Sequence, residues 1–242
     1  PGTPEFLELD TDANGVLTDR DDMYGPFYPG DDAVDWVGMT IYHWVFPGLN
    51  NELPAPGGFA WTLTGHGSDN PVPDFYARYC ADGVHNKPCM LPETGAFYNS
   101  QKPGANEFAI KEGWWKQVFN IAGDQDFGPD VATRFPKLKC ISWFDRYKSE
   151  GVAGNQWIDW RVSAHAPIRS AFVNAVRARR NGLGLQFATQ FVAQHAGVLD
   201  FLFVRIKLPL DESSGRFDYQ LLLIGQRKIH DRSLCQLVPL AQ

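Results

Sequence analysis

The amino-acid sequence predicts an α/β fold in which buried strands alternate with helices over residues 1–178. Three apolar, β-rich runs predict the strands, at residues 34–42, 88–91 and 138–144. Helical patterns accompany them, weakly at residues 73–80 and more clearly at 106–120 and 166–178. Because strands that alternate with helices build parallel βα units, we expect a parallel sheet flanked by helices.

Each element has its own signature in the sequence. The first strand is the nearly continuous apolar run from Val34 to Tyr42, and the second runs from Pro88 to Leu91 and ends at the segment 92–95. The helix at 106–120 is amphipathic, with apolar positions at Phe108, Ile110, Trp114, Trp115, Val118 and Phe119. Gly, Pro and Asp are frequent in residues 1–33, and Gly and Pro in 46–71, and both stretches are predicted to be irregular.

The number of strands leaves the architecture open. A closed (β/α)8 barrel needs eight strands and about 250 residues, so three βα units cannot make one. Either further strands precede the chain or the fold is a smaller, open sheet. Residues 179–242 are an unassigned tail with apolar runs at 198–210 and 219–224 and no continuing βα rhythm. The tail carries eight basic and five acidic residues in a chain of net charge −6, which suggests a separate origin or role.

Composition excludes some classes of partner. A net charge of −6 and a pI near 5.5 argue against nucleic acid, whose phosphates require a stripe of Lys and Arg. No apolar run reaches the length that spans a membrane, and we expect a monomer.

The eight tryptophans fit either a large core or a cleft whose flat rings stack on sugars. Of four cysteines, Cys80 and Cys89 could pair across a short loop or remain buried thiols.

Side chains suited to sugar chemistry stand at the ends of the three predicted strands. Tyr42, His43 and Trp44 close the first strand, Glu93 follows the second, and Trp143 lies near the end of the third. Because the carboxyl ends of parallel strands meet at one edge, we expect these groups to converge. A carboxylate placed there can attack an anomeric carbon. The alternative is a loop glutamate that caps the next helix or is merely solvated.

Three segments resemble signatures of the family twenty-six glycoside hydrolases, the β-mannanase type. They are YPGDDAVDWVGMTIY at 28–42, KPCMLPETG at 87–95 and KCISWF at 139–144. The resemblance covers residues 1–178 and implies the C-terminal part of a (β/α)8 TIM-barrel glycosidase that hydrolyses a β-linked, mannan-like polysaccharide with retention. It implies Glu93 as the catalytic nucleophile, Tyr42 as its hydrogen-bond partner and Trp143 as the platform under the sugar. Trp44 and His43 would line the cleft.

One part of the family's pattern is missing from the sequence. The acid/base glutamate of the family lies on a middle strand in a motif like His-Glu-Met-Asn, and no such motif occurs here. By order along the chain it would fall before Pro1, so we expect a truncated hydrolase with little activity of its own. A non-catalytic carbohydrate-binding protein and an inactive fragment are the alternatives. The resemblance also implies a secreted, extracellular protein.

A separate motif, DTDANGVLTDRD at residues 10–21, matches the twelve-position calcium loop. Oxygen-bearing side chains fall at positions one, three and five, glycine at six, an apolar residue at eight and a carboxylate at twelve. The predicted calcium ligands are Asp10, Asp12, Asn14, the carbonyl of Val16, Thr18 directly or through water, and Asp21. Aspartate at position twelve predicts weak binding, and the lack of evident flanking helices predicts a structural role. The alternative is an acidic, solvated turn.

Overall fold

A computed structural model of the protein describes residues 2–18, 20–22, 24–45, 48–66, 72–120, 125–183, 202–203 and 220–225. Twelve labelled elements follow one another in these ranges. The helices are α1 Pro4–Leu9, α2 Gly58–Leu63, α3 Glu107–Val118, α4 Val131–Arg134 and α5 Ala166–Leu183. The strands are β1 Val37–His43, β2 Cys89–Ala96, β3 Leu138–Trp143, β4 Tyr147–Glu150, β5 Gln156–Asp159, β6 Leu202–Phe203 and β7 Gln220–Gly225. A single π-helical turn spans Tyr76–Cys80.

The main sheet has five strands in the order β3-β2-β1-β7-β6. Strands β1, β2 and β3 run parallel to one another. The other edge of β1 pairs with β7 in antiparallel register, and β6 pairs with β7 in the same manner. An unpaired strand edge exposes a row of N–H and C=O groups, and β7 satisfies that row on β1. The strand order ends at β3 on one side and at β6 on the other, so the sheet formed by the described residues is open.

The tail contributes secondary structure that the sequence left unassigned. Strand β6 lies within the apolar run at 198–210, and β7 overlaps the run at 219–224. Helix α5 continues to Leu183, so it crosses the boundary expected after residue 178. The division into a barrel part and a separate tail therefore does not coincide with a break in secondary structure.

Two short helices occupy stretches that were expected to be irregular. Helix α1 begins after Thr3, whose hydroxyl accepts a hydrogen bond from the Phe6 amide at 3.2 Å, and it carries Pro4 in its first turn. Both features are helix-start signals, but six residues carry too little periodicity to reveal a helix. Helix α2 begins after Gly57, which adopts a φ of 78°. The hairpin of β4 and β5 was not predicted either.

Apolar side chains form two clusters. The larger one lies between the sheet and the helices, and it includes Met39 and Ile41 of β1, Trp114 and Trp115 of α3, and Phe172 of α5. The smaller cluster lies under the β4–β5 hairpin and contains Val45, Phe97, Ala153, Ile158 and Trp160, with Tyr42, Trp44, Leu49 and Phe144 packed against it. None of the helices in the described ranges is long and apolar enough to cross a membrane.

Candidate active site at the carboxyl ends of β1 and β2

A β-bulge places Glu93 on the same face of the sheet as Tyr42. The pairing of β1 with β2 shifts between its two halves, so that one more residue of β2 than of β1 is accommodated. The irregularity includes Pro92, which has no N–H to donate to a neighbouring strand. Beyond the shift Tyr42 pairs with Gly95. Glu93, two residues before Gly95, therefore shares the face of Tyr42.

The Tyr42 hydroxyl donates a hydrogen bond of 3.0 Å to Oε2 of Glu93. Both side chains are partly exposed, so the carboxylate is within reach of solvent. Burial of the phenol, followed by the charge and hydrogen bond of Glu93, raises the pKa of Tyr42 far above its ordinary value. The hydroxyl therefore keeps its proton at neutral pH, and it donates to the carboxylate. The predicted pairing of these two residues is present.

Gly95 allows two aromatic rings to lie close across β2. A Cβ atom at this position would stand 3.1 Å from Cε1 of Tyr42 and 3.3 Å from Cε3 of Trp160. These distances are tighter than ordinary van der Waals contact, so a side chain here would push the Tyr42 ring away from its place beside Glu93. The glycine after the glutamate is thus explained by close packing and not by a turn.

Aromatic rings surround Tyr42 on the face that carries Glu93. Trp160 lies 4.9 Å from the Tyr42 ring centroid and Phe144 lies 5.9 Å from it, edge-on. Trp44 belongs to this group because its ring stacks on Trp160 at 5.2 Å with an interplanar angle of 19°. Its Nε1 is buried and has no hydrogen-bond partner among the residues that the structure describes. Trp160 itself is only 1% exposed, so it supports the other rings.

The structure corrects the predicted role of Trp143 as a sugar platform. Trp143 pairs with Thr94, whose hydroxyl accepts a hydrogen bond from the Trp114 indole of α3. The side chain of Trp143 therefore points to the helices, where it is 3% exposed and packs edge-on against Phe172 at 5.0 Å. Since neighbouring residues of a strand point to opposite faces, Phe144 takes the place beside Tyr42 that was expected for Trp143.

Trp143→Ala is expected to destabilise the fold by about 3–5 kcal/mol, because it removes a buried indole from the core. It would also remove the hydrogen bond from Nε1 of Trp143 to the carbonyl of Trp160, which measures 3.0 Å. Urea unfolding measures the loss. Trp61→Ala is the matched control, since Trp61 is 56% exposed and its removal should change stability little. Equal stabilities of the two variants would return Trp143 to the list of candidate ligand-binding residues.

His43 also lies on the helix side of the sheet. Its ring centroid is 6.0 Å from that of Trp114, and its Nε2 lies 2.8 Å from the carbonyl oxygen of Glu52. Because a carbonyl only accepts, Nε2 carries the proton. Burial lowers the pKa of His43 to about 4, so the imidazole is neutral near pH 7. The prediction that His43 lines the cleft with Tyr42 is corrected: the alternation of β1 separates the two side chains.

Glu150, which the sequence reasoning missed, is a second carboxylate near Tyr42. Its Oε1 accepts a hydrogen bond of 3.0 Å from the Trp160 indole, and Nζ of Lys148 lies 3.4 Å away. These contacts are those of a structural anion that orients the Trp160 ring under Tyr42. Nothing in the sequence around Glu150 marks this role, because the β4–β5 hairpin brings it to the site.

The acidic loop that follows α1 gathers three carboxylates. Asp10, Asp12 and Asp21 each place one oxygen within 4.8 Å of the others. Asp10 and Asp21 are buried, whereas Asp12 is exposed. Among the described residues, no basic side chain forms an ion pair with any of the three. Three close carboxylates without a basic partner are chemically suited to a hard cation with oxygen ligands.

Backbone N–H groups hold the loop in shape. Asp10 accepts from the amides of Asn14 at 3.0 Å and Gly15 at 2.8 Å. Asp21 accepts from the amide of Thr18 at 2.8 Å. Burial alone raises the pKa of Asp21, but hydrogen bonds from the loop backbone outweigh it and hold that pKa below its usual value. Asp21 therefore remains ionised down to acidic pH.

The remaining predicted ligands lie on the same loop in different surroundings. The side chain of Asn14 is occupied locally: Nδ2 donates to Asp12 at 2.8 Å, and Oδ1 accepts from the amide of Val16 at 2.8 Å. Val16 is exposed and Thr18 is half-buried. Helix α1 ends at Leu9, immediately before the loop, so the expectation that no helix flanks it is corrected on that side.

Comparisons of the chain with protein-family models, with curated proteins and with solved structures find no match. Its functional assignment therefore depends on the sequence motifs and on the geometry around Glu93. The resemblance to family twenty-six glycoside hydrolases provides a chemical hypothesis about that geometry.

Proposed function

We propose that the protein carries the nucleophile side of a retaining glycoside hydrolase, with Glu93 as the nucleophile and a β-linked, mannan-like polysaccharide as the substrate. The observation that carries this proposal is the 3.0 Å hydrogen bond from the Tyr42 hydroxyl to Glu93 at the carboxyl ends of two parallel strands. A complete enzyme of this kind would be a (β/α)8 barrel, of which β1, β2 and β3 would form the last part.

In this mechanism Oε of Glu93 attacks the anomeric carbon, and the bond from that carbon to the leaving oxygen breaks. The product is a covalent glycosyl ester on Glu93, which water then cleaves to restore the carboxylate. Tyr42 keeps its proton and orients the attacking carboxylate through its hydrogen bond. Trp44 and Phe144 provide apolar surface beside the two reacting groups.

A second candidate function is carbohydrate binding without hydrolysis. The observation that favours it is the lack of a His-Glu-Met-Asn-like motif in the sequence. Glu150, the other carboxylate near Tyr42, is engaged by Trp160 and Lys148. A binding protein would keep the aromatic surface and use Glu93 as a hydrogen-bond acceptor for sugar hydroxyls.

Trapping of the covalent intermediate distinguishes the two functions. An aryl β-mannoside with a dinitrophenolate leaving group needs no proton donor for departure, so Glu93 can react without an acid/base partner. We expect a burst of dinitrophenolate that approaches one equivalent of protein, because return of the glycosyl group to water lacks base assistance. Peptide mass spectrometry should place the mannosyl group on Glu93.

Glu93→Gln should give no burst and no adduct, whereas Glu52→Gln should behave as the wild type. Glu52 is the matched control because it is an exposed glutamate outside the Tyr42 face. Binding of mannan oligosaccharides without any burst would support the carbohydrate-binding function instead. An adduct on a residue other than Glu93 would refute the nucleophile assignment.

We further propose that the loop from Asp10 to Asp21 binds one calcium ion and that the protein acts outside the cell, where its polysaccharide occurs. The support for calcium is the convergence of three carboxylates on a loop already shaped by its own backbone. Asp10, Asp12 and Asp21 would hold the ion together with oxygen atoms of Asn14, Val16 and Thr18. Its role would be structural, since the loop precedes β1 and carries no part of the reaction.

A further inference from the structure

Two buried cysteines meet at the start of the strand that carries Glu93. Cys80 ends the π-helical turn and Cys89 begins β2, and both are 0% exposed. The π-helical turn packs against β2, where the side chains of Cys80 and Cys89 are neighbours, and both cysteines are reduced.

The backbone between the two cysteines is closed independently of the thiols. The amide of Lys87 donates to the carbonyl of Tyr79 at 3.0 Å, and these residues lie two positions before Cys89 and one position before Cys80. Asn86 and Gly83 turn the chain with positive φ values of 55° and 95°. The turn thus brings the chain segments that carry the two cysteines together as a consequence of the fold.

Cys140 does not compete for either partner. It pairs with Met90 across β2 and β3, and Met90 is the immediate neighbour of Cys89. Cys80 and Cys89 both belong to the larger apolar cluster, whereas Cys140, although buried, belongs to neither cluster. Among the described cysteines, Cys80 and Cys89 are therefore the pair that the fold brings together.

We propose that Cys80 and Cys89 form a disulfide bond when the chain folds in an oxidising compartment. The oxidant is a disulfide, either a small molecule such as glutathione disulfide or a protein disulfide donor. One cysteine thiolate attacks a donor sulfur and forms a mixed disulfide, releasing one donor thiol. The second cysteine thiolate then attacks the first cysteine's sulfur, which forms the internal bond and releases the second donor thiol. Two protons leave the cysteines, and two electrons reduce the donor disulfide to two thiols.

Burial of the cysteines determines the stage of folding at which this exchange occurs. Removal from water raises the pKa of the Cys80 thiol well above its ordinary value, so the reduced native protein holds almost no reactive thiolate there. The reaction therefore takes place before the π-helical turn packs against β2. Once formed, the bond is shielded and ties the beginning of β2, four residues before Glu93, to the π-helical turn.

The test uses the full chain refolded in a glutathione redox couple, or secreted through an oxidising pathway. Free thiols are alkylated in denaturant without reduction, and the protein is then digested and mapped by mass spectrometry. We expect a linked peptide pair containing Cys80 and Cys89, together with alkylated Cys140 and Cys235. Addition of reductant should lower the melting temperature by roughly 5–10 °C.

Two matched variants distinguish the effect of losing the disulfide bond from the effect of losing a buried side chain. Cys80→Ala and Cys140→Ala each remove a buried sulfur atom, but only Cys80→Ala should abolish the dependence of melting temperature on reductant. The peptide map needs no variant, so poor folding of either one leaves the test intact. Alkylation of all four cysteines without reduction would overturn the proposal, and so would a bond that includes Cys140 or Cys235. None of these outcomes depends on the chemistry of Glu93.

Discussion

Glu93→Ala is expected to lower the release of dinitrophenolate from an aryl β-mannoside by on the order of 10³-fold or more, because no other group replaces the attacking carboxylate. Binding of the sugar should change little, since the aromatic rings around Tyr42 remain. Azide should restore part of the rate by occupying the space that the carboxylate leaves. The restored reaction should yield the α-glycosyl azide, with the anomeric configuration inverted in a single displacement.

Tyr42→Phe is the graded control for this experiment. It removes only the hydroxyl that donates to Glu93, so the carboxylate stays in place but is less well oriented. Its rate should fall by about one to two orders of magnitude, less than that of Glu93→Ala, with a smaller change in affinity. A Glu93→Ala variant that keeps more than about a tenth of the wild-type rate would exclude Glu93 as the nucleophile.

The sequence predicted the strands that form this site because each is a short apolar run bounded by turn residues. It also predicted that Tyr42 and Glu93 would meet, since the carboxyl ends of parallel strands lie at one edge. The detail that brings them onto one face is the β-bulge around Pro92. A bulge depends on how two strands pair, so the sequence of β2 alone shows only a proline where a donor is missing.

The error over Trp143 comes from the two-residue period of a strand. The position of the strand was predicted to within a few residues, but the face to which a side chain points alternates with every residue. An error of one residue therefore puts Trp143 on the face that Phe144 occupies. His43 was misassigned for the same reason, as the neighbour of Tyr42 in β1. The observed contacts of Trp143 with Phe172 of α5 resolve the facing, and these long-range contacts are not visible in local sequence.

The hairpin of β4 and β5 carries the part of the site that sequence could not predict. Trp160 follows β5, and its indole reaches Glu150 at the end of β4 while its ring lies against Tyr42. These residues are far from Tyr42 along the chain, and they belong to no recognised motif. Their placement depends on the path of the chain after β3, which only the folded structure specifies.

Calcium is expected to raise the melting temperature of the protein, because the ion would bind the folded loop and not the unfolded chain. Three carboxylates within 4.8 Å of one another repel in the absence of a cation, and Asp10 and Asp21 are removed from water. With the affinity typical of extracellular calcium modules, about 10 mM calcium should give a rise of roughly 3–10 °C. Magnesium at the same concentration should have a smaller effect, since it demands shorter bonds and octahedral geometry.

The dependence on pH follows from the carboxylates. Asp21 has a lowered pKa in the folded protein, so its contribution to stability is present above the pKa of the unfolded chain and is lost as the pH falls through the folded value. Calcium competes with protons for the same oxygens, so the calcium-induced shift should disappear over this acidic range. Differential scanning calorimetry at neutral and acidic pH, with and without the ion, measures both effects.

Asp12→Ala tests whether the calcium-induced rise in melting temperature comes from an ion bound at this loop. Asp12 is exposed, so its removal should leave the melting temperature without calcium close to that of the wild type while abolishing the calcium-induced rise. Asp35→Ala is the matched control, since Asp35 is an exposed aspartate outside the loop and its variant should respond to calcium fully. Absence of both heat and stabilisation at millimolar calcium in the wild type would leave residues 10–21 as an acidic turn. An equal response in Asp12→Ala and the wild type would place the ion elsewhere, because the variant lacks one of the three carboxylates that would bind it.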